Sequence, residues 1–176
     1  ARNSGKGPVI DAAMTDGTAL LGAMFYGMQA QGRWSARRGS NLLDGSAHFY
    51  DTYECADGKY IAIGSIEPQF YAELLARLEI TDSVFSHQFE PRHWPELKRR
   101  LAAHFVTRTR AQWTEVLEGT DVCFAPVLDM DEAPQHEHNV ARRTFIEIDG
   151  VVQPAPASRF SRAVPELLRS AEGEDV

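Results

Sequence analysis

The chain has 176 residues, of which 43% are hydrophobic and 24% charged, and this composition excludes a disordered tail. The formal net charge of −7 argues against general nucleic-acid binding, which requires a basic face that releases counterions. Cys55 and Cys123 are far apart and lack metal-ligand spacing, so we expect two reduced core thiols rather than a zinc site or a disulfide framework. No apolar run is long enough to span a bilayer. We therefore predict a cytoplasmic protein without a membrane span.

The N-terminal part combines a short strand-like run with an apolar helix. Residues 8–13 are strand-like, and residues 15–32, TDGTALLGAMFYGMQAQG, predict a helix with Thr15 or Asp16 as its cap and Gly32 as its stop. This helix has no polar face, so we expect it to be buried on nearly all sides against a partner surface. The segment that follows it is a basic, irregular connector rich in Gly and Ser.

The pattern from Phe49 onward predicts a β-hairpin followed by helices. The stretch FYDTYECADGKYIAIGS alternates on both sides of Asp57-Gly58, which is a strong hairpin signal. Three helices follow, and Thr109 with Gln112 forms a capping box for the third. The apolar faces of the first two are predicted from helical spacing and contain Phe70, Leu74, Leu75 and Leu78, then Trp94, Leu97, Leu101 and Phe105.

The C-terminal part predicts an edge strand and a second hairpin. Residues 122–128, VCFAPVL, form a strand candidate that Pro126 restricts to a sheet edge or a bulge. A polar helix or turn region runs to Asn139, and TFIEIDGVVQP is a second Asp-Gly hairpin. The fold class is therefore α+β, with a compact domain at about 49–150.

Glu67 is the most informative single residue, because it ends an apolar strand just before a helix begins at Pro68. One interpretation is structural: a carboxylate in the first turn stabilises the helix dipole by about 1 kcal/mol or less. The other is functional: an ionised carboxylate at this junction of strand and helix accepts a hydrogen bond from a histidine and fixes its tautomer. Sequence physics alone leaves both open.

Other polar residues give weaker signals. His136 and His138 have no third ligand at metal spacing, so we expect a solvated loop and no metal. His48 is the only histidine that we place near a site. A cluster of three arginines is expected to be solvated, with phosphate contact as an alternative; its members are Arg33, Arg37 and Arg38. No phosphate-binding glycine loop and no nucleophile elbow is present.

Four segments in the same order resemble the α-methylacyl-CoA racemases, which belong to the wider family III CoA-transferase group. They are GKGPVIDAAMTDG, RRGSNLLDGSAHFYDTYECADGKYIAIGSIEPQFY, FAPVLDMDEA and PAPASRFSR. The resemblance implies a large Rossmann-like N-terminal domain, a smaller α+β domain and two interlocked subunits in a homodimer. Within this chain it implies four parts: the end of the large domain (1–14), a linker with the apolar helix (15–48), the small domain (49–143), and a return hairpin, linker and tail (144–176).

The resemblance also implies a reaction and site residues. Racemases of this kind, in fatty acid and lipid metabolism, invert the carbon next to an acyl-CoA thioester through an enolate, with a His and an Asp as acid/bases. Both belong to the absent N-terminal domain, so the isolated chain is expected to be inactive. Glu67 is expected to orient the catalytic His of the partner chain. The residues implied to bind the acyl group are Leu43, Tyr50, Ile66, Met14 and Met24. No separate cofactor is implied, because the substrate carries coenzyme A.

Two alternatives remain beside the racemase. A family III CoA-transferase would pass coenzyme A between two acids through an acyl-aspartate, but such enzymes usually have GN or a glycine-rich loop after the equivalent strand. This chain has GSIEPQFY there, which favours the racemase. The second alternative is a non-catalytic dimerisation module.

Overall fold

The computed structural model describes residues 5, 7, 9–159 and 162. The chain divides into two compact units, Ala1–Ala125 and Pro126–Val176. Across the described residues, helices are all too short or too polar to cross a membrane. The four-part division made from the resemblance stays a prediction.

The first unit begins with two helices in place of the single predicted one. Helices α1, Met14–Leu21, and α2, Ala23–Ala30, meet at Gly22, and we call residues 14–30 the arm. The predicted caps Thr15 and Asp16 are wrong, because Ala13 has the extended backbone that precedes α1 and no side chain caps the helix. Gly32 has a φ of +70°, which ends helical winding as predicted. Residues 9–13 form no strand, since no neighbouring strand pairs with them.

The predicted hairpin is confirmed and forms most of a three-stranded sheet. Strands β1, Tyr50–Glu54, and β2, Tyr60–Gly64, are antiparallel, with Thr52 opposite Ala62. Strand β3, Phe124–Val127, lies beside β2 at the sheet edge, where Pro126 was expected to be tolerated. The burial of alternate residues along β2 explains its alternating pattern, since one face of the sheet packs on the helices.

Three helices cover that face. They are α3, Pro68–Arg77; α4, Trp94–Phe105; and α5, Arg110–Leu117. A short 3₁₀ turn, Ser83–Ser86, lies between α3 and α4. The predicted capping box of α5 is present in both directions, and the predicted face of α4 is fully buried. Of the face predicted for α3, Leu74 and Leu78 are buried and Leu75 packs against the core, whereas Phe70 is only half-buried and Tyr71 is buried instead.

The core consists of apolar residues from the sheet and the three helices. Large aromatic rings meet edge to face at its centre, for example Phe105 and Trp113 with centroids 5.3 Å apart. Every fully buried hydrophobic residue among those described lies within 47–122, a segment that we call the body. These residues are Ala47, Phe49, Tyr53, Cys55, Ile61, Ile63, Tyr71, Leu74, Leu78, Phe85, Trp94, Leu97, Leu101, Phe105, Trp113, Leu117 and Val122.

The second unit contains a short helix and the second predicted hairpin. After a 3₁₀ turn at Ala133–Gln135 come α6, Glu137–Arg142, then β4, Phe145–Ile148, and β5, Val151–Pro154. Asp149 and Gly150 both have positive φ, as a two-residue hairpin turn requires, so the second Asp-Gly prediction is confirmed. The described residues of this unit include none that is fully buried. Most of the predicted tail lies outside the described residues.

Candidate active-site seam and cleft

Glu67 lies at the start of α3 with its side chain exposed. Its backbone is extended, with a ψ of 139°, and Pro68 occupies the first helical position. The Glu67 carbonyl accepts the first helical hydrogen bond, from the Tyr71 N–H at 3.0 Å. The carboxylate, however, makes no capping hydrogen bond to the helix. The geometry therefore shows no side-chain cap at Glu67, and the helix-dipole interpretation and the functional one both stay predictions.

The two residues before Glu67 are held by three sets of hydrogen bonds. The Ser65 hydroxyl donates to the Val122 carbonyl at 2.6 Å, and the Ile66 N–H donates to the Gly64 carbonyl at 2.8 Å. The side-chain amide of Gln88 donates to the carbonyls of both Ser65 (3.1 Å) and Ile66 (2.9 Å). We call residues 64–67 the seam. Sequence reasoning missed Gln88, because a single glutamine in a polar stretch carries no periodic signal.

Cys123 lies beside the seam, in front of β3. Its carbonyl accepts a hydrogen bond from the Gly64 N–H at 2.9 Å, and its backbone has a left-handed φ of 54°. Partial burial, then the nearby Glu67 carboxylate, raises the pKa of the Cys123 thiol. This thiol is exposed, so the expectation of two core cysteines is wrong for Cys123, which ends a turn rather than occupying the helix–sheet interface. Cys55 is buried as expected, and both cysteines are free.

A cleft of about 410 Å³ opens along β1, β2 and the start of β3. Leu43 and Tyr50, two of the residues implied by the resemblance, both line it, together with Gly64 and Cys123. A Cβ atom added to Gly64 would lie 3.6 Å from Cε2 of the Tyr50 ring and 3.7 Å from Cβ of Cys123. Any larger side chain at position 64 would therefore fill this part of the cleft.

The wall of the cleft is held by charged side chains. Asp51 lines the cleft and forms an ion pair with Lys98 of α4, and Lys98 also donates to the Gly45 carbonyl at 2.6 Å. The loop that carries Leu43 is closed by Asp44, whose carboxylate accepts hydrogen bonds from three consecutive backbone N–H groups, those of Gly39, Ser40 and Asn41. Slight burial opposes ionisation of Asp44, but the hydrogen bond from the Asn41 side-chain amide, followed by those from the three backbone groups, prevails and lowers the pKa of Asp44.

The remaining implied acyl-site residues are not brought to the cleft. Ile66 is half-buried and packs against the core. Met14 and Met24 lie on the arm, 89% and 55% exposed, and neither lines the cleft. The structure thus groups Leu43 with Tyr50, and Ile66 with Glu67. The arginines Arg33, Arg37 and Arg38 are exposed, as the solvated interpretation predicts.

His48 is a core residue, so its placement near a site is wrong. The side chain is fully buried, and its Nε2 lies 2.7 Å from the Tyr71 hydroxyl, which donates to the Phe85 carbonyl at 3.1 Å. Among the described residues, none forms a hydrogen bond with its Nδ1. Burial lowers the pKa of His48 to about 4, so the ring is neutral at physiological pH. The apolar residues around it, Phe49 and Phe85, explain the burial.

A histidine–glutamate group that the sequence analysis missed lies in the loop before α4. Ligand-type atoms of His87, Glu90 and His93 lie within 4.8 Å of one another, at a spacing of three residues. Arg92 donates its Nε–H to Glu90 at 3.0 Å and lies 3.2 Å from His93 Nε2. The guanidinium cation of Arg92 therefore already contacts two of the three residues. The hydrogen bond from His87, then that from Arg92, lowers the pKa of Glu90. In this arrangement the group is an ion-pair network that closes the loop.

Comparison with known proteins identifies the class to which this seam and cleft belong. The family model described as CoA-transferase family III matches residues 1–171, and the chain therefore belongs to that family. Two solved structures share the fold: a CAIB/BAIF family protein from Brucella suis (TM-score 0.68, 22% identity, 93% of this chain and 44% of that one) and a hypothetical protein from Mycobacterium tuberculosis (TM-score 0.66, 17% identity, 91% and 43%).

Within the family, the chain is similar to proteins named alpha-methylacyl-CoA racemase. It is 45% identical to the mouse racemase over 170 residues and 42% identical to the human one over 169 residues. In both cases the match covers 94% of this chain and 44% of the relative. The chain thus spans less than half the length of these relatives. A human succinyl-CoA:glutarate CoA-transferase is 23% identical over 174 residues, covering 90% of this chain and 38% of that protein.

Proposed function

We propose that this chain forms part of a racemase that inverts the α-carbon of 2-methylacyl-CoA thioesters. The similarity to two proteins named for this activity supports the reaction class. The observation that carries the proposal is the state of Glu67: an exposed carboxylate, on a firmly held seam, that caps no helix. An acidic group in that position can accept a hydrogen bond from an imidazole of another polypeptide segment.

In the proposed mechanism, a His and an Asp outside these 176 residues transfer the proton on opposite faces of the α-carbon. An enolate forms between the two steps, and its oxyanion requires hydrogen-bond donors. Glu67 accepts the N–H of the imidazole and so fixes which ring nitrogen faces the substrate. The isolated chain is proposed to be inactive, because it supplies only the orienting carboxylate.

The proposed acyl site uses the cleft beside the seam. Leu43 and Tyr50 supply apolar walls, and Ile66 lies next to Glu67 in the chain. Met14 and Met24 contribute their flexible side chains to the acyl site only if the arm is covered by another part of the assembled enzyme. Coenzyme A enters as part of the substrate, so the proposal needs no resident cofactor.

The test is Glu67→Gln in the complete enzyme, with deuterium wash-in from heavy water at the α-carbon as the readout. We expect a fall in kcat with little change in KM, because the carboxylate orients a catalytic group and does not bind substrate. The matched control is Glu73→Gln on the same helix, whose carboxylate pairs with Arg77. A rise in KM at unchanged kcat would contradict the proposal, as would wash-in catalysed by the 176-residue chain alone.

A CoA-transferase is the second candidate, favoured by the human relative of that name. It predicts exchange of coenzyme A between an acyl-CoA and a free carboxylate without wash-in of deuterium. Measuring both reactions on one preparation separates the two activities. Absence of both would favour the third possibility, a non-catalytic dimerisation module.

We also propose that the protein forms an interlocked homodimer in the cytoplasm, with the arm covered in the assembly. The arm exposes several large apolar side chains, among them Leu20, Leu21 and Tyr26, an unusual surface to leave in water. The 176-residue chain is therefore expected to self-associate, and the double variant Leu20→Glu/Leu21→Glu to sediment as a monomer. A stable monomer of the unmodified chain at high concentration, seen by analytical ultracentrifugation, would refute this expectation.

A further inference from the structure

Gln88 is one of few polar side chains buried in the body, and only 6% of it is exposed. It lies 21 residues beyond Glu67, in the loop before α4. We propose that Gln88 is a positioning residue for Glu67: its amide fixes the seam and thereby the place where the carboxylate meets its imidazole partner. The kinetic part of this inference rests on the proposed function, whereas the part concerning the seam does not.

The two hydrogen bonds of Gln88 act on the peptide groups immediately before Glu67. Both protons of one amide nitrogen are used, at 3.1 Å to the Ser65 carbonyl and 2.9 Å to the Ile66 carbonyl. The second of these carbonyls belongs to the peptide bond that Ile66 shares with Glu67. On the other side, the Glu67 carbonyl is fixed by the Tyr71 N–H of α3. The main chain of Glu67 is therefore held on both sides, whereas its carboxylate has no hydrogen-bond partner within the part of the chain that the structure describes.

Gln88 is itself held rigidly. Its own carbonyl accepts the indole N–H of buried Trp94 at 2.7 Å, and Trp94 begins α4. The flanking turn is closed by His87, whose Nδ1 lies 2.6 Å from the Glu90 carboxylate. The orientation of Glu67 is thus tied to α4 through one side-chain amide. Position 88 requires a hydrogen-bond donor, because the two groups that its side chain contacts, the carbonyls of Ser65 and Ile66, are both acceptors.

The first test measures the seam directly by amide hydrogen exchange of the folded protein. Gln88→Met keeps the length of the side chain but removes both donors. We expect the Ile66 amide to exchange roughly tenfold faster relative to the distant Trp113 amide, since local opening becomes easier without those bonds. Tyr53→Phe is the matched control: it removes one buried hydrogen bond to the His48 carbonyl and does not touch the seam. It should change both amides equally.

The second test is a double-mutant cycle in the complete enzyme. We expect Gln88→Met to lower kcat roughly tenfold while KM changes less than about twofold, and Tyr53→Phe to leave both constants unchanged. If Gln88 acts through Glu67, adding Gln88→Met to Glu67→Gln lowers kcat no further. If Gln88 has only a structural role, the two losses of kcat should instead multiply in the double variant.

The outcomes separate the two proposals. Unchanged relative exchange of Ile66 in Gln88→Met would overturn the inference, whatever the kinetics. Multiplicative losses of kcat would overturn the link to Glu67. If the complete enzyme has no racemase activity, the proposed function fails and the catalytic role of Gln88 with it, while faster Ile66 exchange would still establish that Gln88 holds the seam.

Discussion

The body and the arm are both rich in apolar residues but differ in how those residues are used. In the body, α4 presents one apolar face to the sheet and one charged face to solvent, and four of its residues are buried. In the arm, α1 and α2 together bury none, and Leu20 is 76% exposed. Apolar content therefore does not decide burial. An amphipathic stripe packs within its own chain, whereas a helix that is apolar on all sides requires a second surface.

The comparison also indicates which part of the first unit gains stability from apolar burial. Apolar area removed from water contributes roughly 25 cal/mol per Å², so the body supplies nearly all such stabilisation within the first unit. The arm would gain this stabilisation only if another surface covered its apolar side chains. The three predictions below test this division, beginning with the largest expected effect.

Truncation of a core leucine should distinguish the two regions most sharply. Leu101→Ala removes a fully buried side chain of α4 and should lower the free energy of unfolding by about 2–5 kcal/mol, because a cavity remains. Leu20→Ala on the arm is the matched control and, at a dilution where the chain is monomeric, should cost about 0.5 kcal/mol or less. Urea denaturation of the 176-residue chain measures both. Equal losses would show that the arm is packed in solution.

Acid should destabilise the body through His48. Its pKa is about 4 in the folded protein, below the ordinary value of 6.5, because burial disfavours the charged ring. The unfolded chain therefore binds the proton first as the pH falls, and stability is lost progressively between pH 6.5 and 4, by up to about 3 kcal/mol.

The control for this prediction is His48→Phe, which keeps a buried ring without a titrating group. Tyr71 retains its hydrogen bond to the Phe85 carbonyl in that variant. Between pH 6.5 and 4 the denaturation midpoint of the unmodified protein should fall more steeply than that of His48→Phe. Parallel pH profiles would show that the His48 ring does not carry the effect.

The smallest expected change in stability concerns the N-termini of α5 and α3. Thr109→Ala breaks the capping box of α5 and should lower the free energy of unfolding by about 1 kcal/mol. Glu67→Ala at the start of α3 should change thermal stability little, because that carboxylate makes no capping bond. A loss as large as that of Thr109→Ala would return Glu67 to a structural role.

Local patterns predicted much of the fold. Both Asp-Gly hairpins, the capping box of α5 and the buried face of α4 follow from short-range rules, since turn type, caps and helical period depend on neighbouring residues. The predictions that failed depend on distant contacts. Residues 9–13 have strand-like composition, but a strand needs a partner. His48 was placed near a site, but packing by Phe49 and Phe85 encloses it.

The candidate site, like the fold, is only partly predictable from local patterns. Local pattern is enough to predict a carboxylate between a strand and a helix, because the alternation of the strand ends and Pro68 begins a helix. Three further features depend on the folded chain: Glu67 makes no capping bond to its helix, Cys123 lies beside it, and Gln88 holds the preceding carbonyls. Hydrogen bonds between residues 22 or more positions apart depend on how α4 packs on the sheet, and no local pattern encodes that packing.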